Sequence, residues 1–264
     1  MHIYTEQFYE DQSTGSLRSA KRVVPIIVNL LSPKSVVDIG SGIGTWLSVF
    51  SEHGVEKVLG IDGPYVDRDK LLISPDSFLA ADLNQLPQIQ REFDLAICLE
   101  VAEHLPDSSS DALVDTLTSL GKFVLFSAAI PFQGGEHHIN EQWPNYWSKK
   151  FINNGFVPVD FLRFNLWEDE DIEFWYRQNL ILFVRTDIVN SYHFPEATIN
   201  KMPSSLVHPE QYLQKCYALS TQEKQINAQS ELVAQLRKRI EDIKDPGQCS
   251  PWDAFISFLN TIRK

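Results

Sequence analysis

Acidic and histidine side chains at two places in the sequence could carry out chemistry. One is the segment EVAEH from Glu100 to His104, and the other is the adjacent pair His137 and His138, in a chain with seven histidines. If the first segment is helical, Glu100, Glu103 and His104 share one face, at positions i, i+3 and i+4. Imidazole titrates near neutral pH, so all three histidines are candidate catalytic bases.

Three roles are open for the histidine pair. In one, His137 or His138 removes a proton from a hydroxyl group as a general base. In another, His137 joins Glu100, Glu103 and His104 as ligands of Mg²⁺ or Mn²⁺, which would lower the pKa of the acceptor's hydroxyls. In the third, one histidine caps a turn and the other faces solvent. Because neighbouring strand residues face opposite ways, we expect the pair to lie in a loop.

Strand-length apolar runs alternate with helix-like segments through the first half of the chain, which predicts an α/β fold with a doubly wound parallel sheet. These runs are Ser35–Ile39, Lys57–Ile61, Leu95–Leu99 and Lys122–Ser127. Two later runs, Phe156–Phe164 and Asn179–Arg185, are separated by an acidic stretch that leaves no room for a long crossover helix. We therefore expect them to close the sheet as an antiparallel hairpin.

The segment SVVDIGSGIGTWL, Ser35–Leu47, carries a glycine-rich turn between a strand and a helix. Gly40, Gly42 and Gly44 allow a tight turn and a close approach of the backbone to a ligand. Asp38 precedes this turn, and its carboxylate would repel a pyrophosphate. The same carboxylate suits the ammonium and sulfonium groups of S-adenosylmethionine, which makes that molecule the expected cofactor.

Acidic side chains follow three further strands. Asp62 ends the segment VLGID about 20 residues after the turn, where a carboxylate can accept hydrogen bonds from both ribose hydroxyls. Asp82 is placed to bind the exocyclic amine of adenine, with Leu83 packing on the ring. Glu100 lies at the mouth of the same site, after a buried strand.

These four motifs resemble those of the class I S-adenosylmethionine-dependent methyltransferases, over roughly Val23 to Arg185. The resemblance implies a Rossmann-like, seven-stranded, doubly wound sheet with an antiparallel last strand. The E-x-x-E-H segment with a later histidine is similar to the metal site of small-RNA 3′-end 2′-O-methyltransferases and to quinone-biosynthesis O-methyltransferases. The segment SAAIPFQGGEHHINEQWPNYW resembles enzymes that methylate sugars and other small metabolites in bacterial glycan or natural-product pathways.

Charge and motif content separate three functions. The chain has 23 basic and 35 acidic residues and a net charge of −12, which disfavours a long nucleic acid and therefore the RNA methyltransferase alternative. A non-catalytic S-adenosylmethionine-binding module acting through its C-terminal helix would be expected to have lost a motif acid, and all four are present. We therefore expect O-methylation of a small polar acceptor, either a sugar or a natural-product or glycan intermediate.

Two further compositional features concern location. No apolar run approaches the roughly 18 residues of a membrane-spanning helix, so no membrane association is expected. Three scattered cysteines, Cys98, Cys216 and Cys249, favour a reducing compartment, and we expect a cytoplasmic protein.

The sequence predicts two parts, a methyltransferase domain over residues 1–186 and a helical C-terminal extension over residues 187–264. Ser220–Lys244 is polar and helix-favouring, and its apolar stripe could pair two copies as a homodimer. The stripe consists of Ile226, Val233, Leu236, Ile240 and Ile243.

Three segments are weaker candidates for the substrate pocket. The N-terminal segment would fold over the cofactor through Tyr4, Phe8, Tyr9 and Gln12. The segment Asn140–Trp147 is expected either to form an aromatic lid or to pack the following helix. The segment Glu173–Asn179 would begin the last strand, with its Arg177 either pairing with an anionic acceptor group or forming a surface ion pair.

Overall fold

The computed structural model describes residues 6–86, 89, 92–244 and 251–262, with side chains at 14–86, 89, 92–242, 252–253 and 255–262. It divides into two compact units, Met1–His208 and Pro209–Lys264. The first unit therefore ends at His208, beyond the boundary at residue 186 that the sequence suggested. Residues after 186 belong to the first unit because Val189 and Phe194 are buried in its core.

A seven-stranded sheet forms the centre of the first unit, and its strand order is β3-β2-β1-β4-β5-β7-β6. β7 runs antiparallel to both β5 and β6, whereas the other pairs are parallel. The predicted fold class is thus confirmed. The strands are β1 (Ser35–Ile39), β2 (Lys57–Asp62), β3 (Phe78–Ala80), β4 (Phe93–Leu99), β5 (Gly121–Ser127), β6 (Phe156–Val159) and β7 (Ile181–Arg185).

Helices cover both faces of the sheet, which explains why its strands are apolar on both sides. Val36 and Val37 are successive residues of β1 and belong to two different core clusters, one on each face. α1 and α2 contribute to the first cluster, and α3 and α4 to the second. The helices of this unit are α1 (Glu6–Leu31), α2 (Thr45–Glu52), α3 (Ser110–Leu120), α4 (Pro144–Asn153), α5 (Leu162–Leu166) and α6 (Phe174–Asn179).

The order of strands places a ligand crevice at the carboxyl ends of β1 and β4. The chain moves outward from β1 through β2 to β3, then returns to place β4 on the other side of β1. In open α/β sheets, ligands bind at such a reversal of strand order. The glycine-rich turn after β1 and the EVAEH segment after β4 therefore face the same crevice.

The predicted closing hairpin is correct in pairing but wrong in its boundaries. β6 pairs antiparallel with β7, yet Glu173–Asn179, expected to begin the last strand, instead leads into helix α6. Contacts with α1 fix this helix, because the Glu173 backbone N–H donates to Ser19 Oγ at 3.0 Å and Arg18 donates to the Glu173 carboxylate at 2.8 Å. Such distant contacts override the local apolar pattern.

The second unit contains two helices, α7 (Pro209–Lys244) and α8 (Pro251–Ile262). α7 includes the predicted Ser220–Lys244 helix and begins eleven residues earlier, at Pro209. In the described part of the chain, no helix has both the length and the apolar character needed to cross a bilayer.

Candidate active site

All three glycines of the turn after β1 have positive φ, and at two of them an added Cβ would also clash. Gly40 and Gly44 both have φ +84°, a left-handed conformation that costs other residues energy. A Cβ at Gly40 would lie 2.2 Å from Val101 Cγ2, and one at Gly44 would lie 2.9 Å from Ile73 Cγ1. At Gly42, no atom lies within 4 Å of the corresponding point, so this side of the turn is open to a ligand.

Asp62, at the end of β2, lies against this turn. Its carboxylate accepts hydrogen bonds from the Gly42 N–H at 2.7 Å, the Gly63 N–H at 2.6 Å and the Tyr65 hydroxyl at 2.5 Å. The predicted ribose-binding acid is therefore beside the glycine turn. A ribose hydroxyl that reaches the same oxygen would compete with Tyr65.

Asp38 ends up buried at the base of the turn, with 3% of its surface exposed. Burial raises the pKa of its carboxyl well above the usual value, and repulsion from Asp62 raises it further. A positive charge bound nearby would favour the ionised carboxylate. The structure thus gives Asp38 an environment that a cationic ligand would relieve.

Asp82 and Leu83 lie beyond β3, next to the end of β2, because the Ala81 N–H donates to the Asp62 carbonyl at 2.8 Å. Asp82 is exposed and accepts a hydrogen bond from the Asn84 N–H at 2.9 Å. Leu83 is half-buried and packs at the edge of the second core cluster. Their assignment to adenine stays a prediction.

Glu100 follows β4 and has φ +54°, so the predicted helical turn over Glu100–His104 is wrong. Only Ala102–His104 form a short 3₁₀ helix, because the Glu100 N–H still donates to the Ser127 carbonyl of β5, at 3.0 Å. The Glu100 carboxylate instead accepts from Asn179 Nδ2 at 3.1 Å and Gln133 Nε2 at 2.9 Å. Burial raises its pKa, and these hydrogen bonds oppose the rise.

Glu103, His104 and His138 form a cluster in which one potential metal-ligand atom of each residue lies within 4.8 Å of those of the other two. Glu103 is fully buried, and neither of its carboxylate oxygens has a hydrogen-bond partner of normal geometry. Burial, followed by repulsion from Glu100, raises its pKa well above the usual value. The backbone N–H groups of Glu103 and Ala129 oppose this rise only in part. A buried carboxyl group without well-formed hydrogen bonds is costly, so this one needs an explanation.

Burial is also the main cause that lowers the pKa of His104, to about 4, and nearby His138 contributes. The His104 Nδ1 atom is buried and has no hydrogen-bond partner. Its ring packs edge-on against the His138 ring, with 4.8 Å between the ring centroids. At neutral pH the His104 imidazole is therefore uncharged, and its Nδ1 is available inside the protein.

The loop after β5 brings His138 to this cluster. The Ile139 and Asn140 N–H groups donate to the Glu103 carbonyl at 2.9 and 3.0 Å, and His138 Nδ1 lies 3.0 Å from Glu141 Oε1. A Cβ at Gly135 would lie 2.3 Å from His138 Nε2. Glycine at this position therefore makes room for the imidazole.

His137 lies outside the cluster although the sequence favoured it as the metal ligand. Its backbone has φ +60° and the residue is exposed. Because the backbone of His137 is left-handed, the side chains of His137 and His138 point to different sides of the loop. His138 is the one that reaches the cluster. Glu100, the fourth residue of the predicted metal set, is bound by side-chain amides instead.

Three side-chain amides at this site escaped the sequence analysis. Gln133 Oε1 accepts from Gln178 Nε2 at 3.1 Å and from Asn179 Nδ2 at 2.9 Å, and all of them surround Glu100. Gln178 and Asn179 are buried. Two adjacent amides just before the apolar run of β7 were the available signal, since buried amides need hydrogen-bond partners.

The remaining pocket candidates differ in their outcome. In Asn140–Trp147, Trp147 of helix α4 packs on Phe126 with 5.2 Å between ring centroids, and a lid formed by the other aromatics stays a prediction. Arg177 is buried and donates to the Trp167 carbonyl at 3.2 Å, which contradicts a surface ion pair. The N-terminal candidates lie outside the described residues or side chains, and they are Tyr4, Phe8, Tyr9 and Gln12.

Comparison with known proteins adds a family match. The model of the family described as "Methyltransferase domain" matches residues 17–159, more than half of the chain. A search of the curated proteins finds no match.

Solved structures share the fold at low sequence identity. A putative O-methyltransferase from Nostoc punctiforme has a TM-score of 0.52 and 15% identity, over 68% of this chain and 59% of that one. An O-methyltransferase family protein from Burkholderia thailandensis has a TM-score of 0.50 and 12% identity, over 70% and 61%. Magnesium protoporphyrin IX methyltransferase from Synechocystis, with bound S-adenosylhomocysteine, has a TM-score of 0.46 and 19% identity, over 66% and 86%.

Proposed function

The chain belongs to the methyltransferase-domain family and is an S-adenosylmethionine-dependent methyltransferase, and from this premise we propose that it methylates a hydroxyl group of a small polar acceptor. The cluster of Glu103, His104 and His138 carries the proposal. It brings together a buried carboxyl group and an imidazole from the segment after β4 with a second imidazole from the loop after β5.

The segment after β4, which carries Glu103 and His104, lies against the cofactor turn. Val101, between Glu100 and Glu103, occupies the space that a side chain at Gly40 would need, since a Cβ there would lie 2.2 Å from Val101 Cγ2. A cofactor bound on the open side of the turn therefore places its methyl group close to the segment after β4. In-line displacement at that methyl group then requires an acceptor oxygen held nearby.

Glu103, His104 and His138 fit a divalent metal ion. A carboxylate and two imidazoles are ligands that Mn²⁺ and related ions accept, and Mg²⁺ favours the carboxylate. The fit would account for the burial of both Glu103 oxygens and His104 Nδ1 without hydrogen bonds of normal geometry. When bound, such an ion would lower the pKa of an acceptor hydroxyl and hold its oxygen.

The same residues also allow a reaction without a metal ion, in which a histidine acts as the base. The acceptor hydroxyl must lose its proton as the new carbon–oxygen bond forms, and a neutral imidazole can accept it. The Glu141 carboxylate lies at His138 Nδ1 and can fix the orientation of that ring. His138 is then the general base of the reaction.

Hydrogen-bonding groups around Glu100 support a polar acceptor. The Glu100 carboxylate and the amides of Gln133 and Asn179 can rearrange their mutual hydrogen bonds to bind neighbouring hydroxyl groups. We therefore assign the acceptor to sugars or to hydroxylated natural-product or glycan intermediates. The net charge of −12 disfavours a long nucleic acid. The free thiols of Cys98 and Cys216 agree with a cytoplasmic site of action.

The test is a turnover assay that detects S-adenosylhomocysteine. Purified protein is incubated with S-adenosylmethionine and a panel of sugars, polyols and catechols, each with Mn²⁺, with Mg²⁺ or with EDTA. Methyl transfer to a hydroxyl that occurs with the metal ion and stops in EDTA supports the metal-assisted reaction. Methyl transfer that continues in EDTA supports a histidine as the general base. Transfer only to amines, or only to the 3′ end of an RNA oligonucleotide, would contradict the proposed acceptor.

A further inference from the structure

An apolar residue stands at every seventh position along α7. These residues form what we call the α7 seam, and they are Tyr212, Leu219, Ile226, Val233 and Ile240. All five are exposed, with 47% to 64% of each residue accessible. A seven-residue apolar repeat kept over five heptads is the pattern of a helix that winds around another helix.

Helix α8 leaves the seam open. Between α7 and α8, Arg239 Nη1 donates to Thr261 Oγ1 at 2.8 Å, and the apolar residues of α8 are themselves exposed. Within the described residues, the α7 seam therefore has large apolar side chains that face solvent. A repeat of this length requires a partner helix of similar length.

We propose that the partner is α7 of a second copy of this chain and that the two helices form an antiparallel two-stranded coiled coil. β-branched residues dominate the central seam, at Ile226, Val233 and Ile240. Leu236 occupies the second apolar position of its heptad. These aliphatic side chains supply the apolar layers that such a pair would bury.

A parallel arrangement would bring like groups together in the interface. The second seam position of the first three heptads holds Lys215, Gln222 and Gln229, and in a parallel pair each residue meets its own copy. Two lysines would then face each other within the seam. At the flanks, Arg239 would meet Lys244 of the second copy, which adds a second repulsion.

The antiparallel arrangement avoids both conflicts. With Val233 opposite Gln229, Ile226 lies opposite Leu236, and Lys215 extends beyond the end of the second helix. Each layer that contains a glutamine then also contains an aliphatic residue. The charges of the two copies are complementary in this register.

At the flanks of the antiparallel pair, Glu223 of each copy faces Arg237 of the other. The twofold symmetry of the dimer produces this ion pair twice. In a parallel pair, Glu223 would instead face Ala218, and Arg237 would face Leu232. The charges at positions 223 and 237 therefore affect the antiparallel arrangement alone.

The test measures the dimer dissociation constant of the full chain by analytical ultracentrifugation at low salt. We expect a dimer in which Glu223→Arg or Arg237→Glu each raises the dissociation constant at least about tenfold, because two attractions become repulsions. The double variant should restore dimerisation. Lys238→Glu is the matched control, since it also reverses a charge on α7 but lies outside the seam and its flanks, and it should dimerise as the wild type does.

Circular dichroism and S-adenosylhomocysteine binding confirm that each variant remains folded. Ile226→Asp interrupts the seam and should give a monomer that keeps its cofactor affinity. A chain that stays monomeric at 100 µM, taken as about the highest practical concentration, would overturn the proposal. A dimer whose dissociation constant is unchanged by both charge reversals would overturn the antiparallel arrangement.

Discussion

The cofactor half and the acceptor half of the site are built in different ways. The cofactor half is a backbone turn whose shape depends on glycines, and the carboxylate of Asp62 there already has three hydrogen-bond donors. The acceptor half buries the Glu103 carboxylate oxygens and His104 Nδ1 without hydrogen bonds of normal geometry. In the first half the Asp62 carboxylate is satisfied before a ligand binds and Asp38 alone lacks a positive partner, whereas the second half buries groups that lack well-formed hydrogen bonds.

This difference predicts that removing Glu103 stabilises the protein and abolishes its activity. In Glu103→Gln, we expect kcat/KM to fall on the order of 1000-fold, because the ion would lose its carboxylate ligand. The thermal midpoint of the metal-free protein should rise, since the raised pKa of Glu103 means that its ionised form opposes folding at neutral pH. Glu136→Gln, the same change at an exposed position on the loop that carries His138, is the control for both measurements. A lower midpoint in Glu103→Gln would contradict the view that this carboxyl group lacks partners.

Substitution of the glycines should damage the cofactor half in two distinguishable ways. Gly40→Ala should destabilise the protein by about 3 kcal/mol, because overpacking against Val101 adds to a left-handed backbone. Gly42→Ala should cost only about 1 kcal/mol, since its Cβ would meet open space. Both should weaken S-adenosylhomocysteine binding about 100-fold, Gly42→Ala because its methyl group intrudes on the ligand. Equal losses of stability in urea unfolding would refute this geometry.

The two adjacent histidines should differ strongly in their contribution. His138→Asn should lower kcat by about 50-fold, because His138 lies in the cluster either as ligand or as base. The kcat of His137→Asn should stay within a factor of about 2 of the wild-type value, since His137 is exposed outside the cluster. Steady-state kinetics of the two variants make the comparison. A larger loss in His137→Asn would reverse the assignment.

Cofactor affinity should depend on pH through Asp38. Burial raises the pKa of Asp38 in the ligand-free protein, and the positive charge of S-adenosylmethionine should lower it on binding. Between these two pKa values, binding releases a proton, so the affinity should fall as the pH falls. We expect a loss of about tenfold per pH unit at most within that window, measured by calorimetry. Asp38→Asn should bind more weakly and without this dependence on pH.

Most of the sheet was predictable because its strands are contiguous apolar runs. β1, β2, β4 and β5 were found to within two residues at each end, whereas β3 has only three residues and too short an apolar pattern. The boundaries of the closing hairpin failed for another reason. Helix α6 depends on contacts with Ser19 and Arg18 that lie more than 150 positions away.

The candidate site, like the sheet, was predictable from the sequence only where its residues lie in continuous segments. The cofactor motifs are continuous segments at strand ends, so their residues could be named from the sequence. In the acceptor half, the sequence named Glu103 and His104 but left the base open between His137 and His138 and chose His137 as the metal ligand, because the loop's backbone conformation could not be foreseen. The amides around Glu100 come from two distant segments and require the folded chain.

The most direct test of the acceptor half is calorimetric titration of Mn²⁺ into metal-free protein saturated with S-adenosylhomocysteine. The account predicts one site per chain with a dissociation constant on the order of micromolar, abolished in Glu103→Gln and unchanged in Glu136→Gln. Saturation with S-adenosylhomocysteine separates this measurement from any defect in the cofactor half. Absence of binding, or equal binding by wild type and Glu103→Gln, would contradict the claim that the buried cluster holds a metal ion.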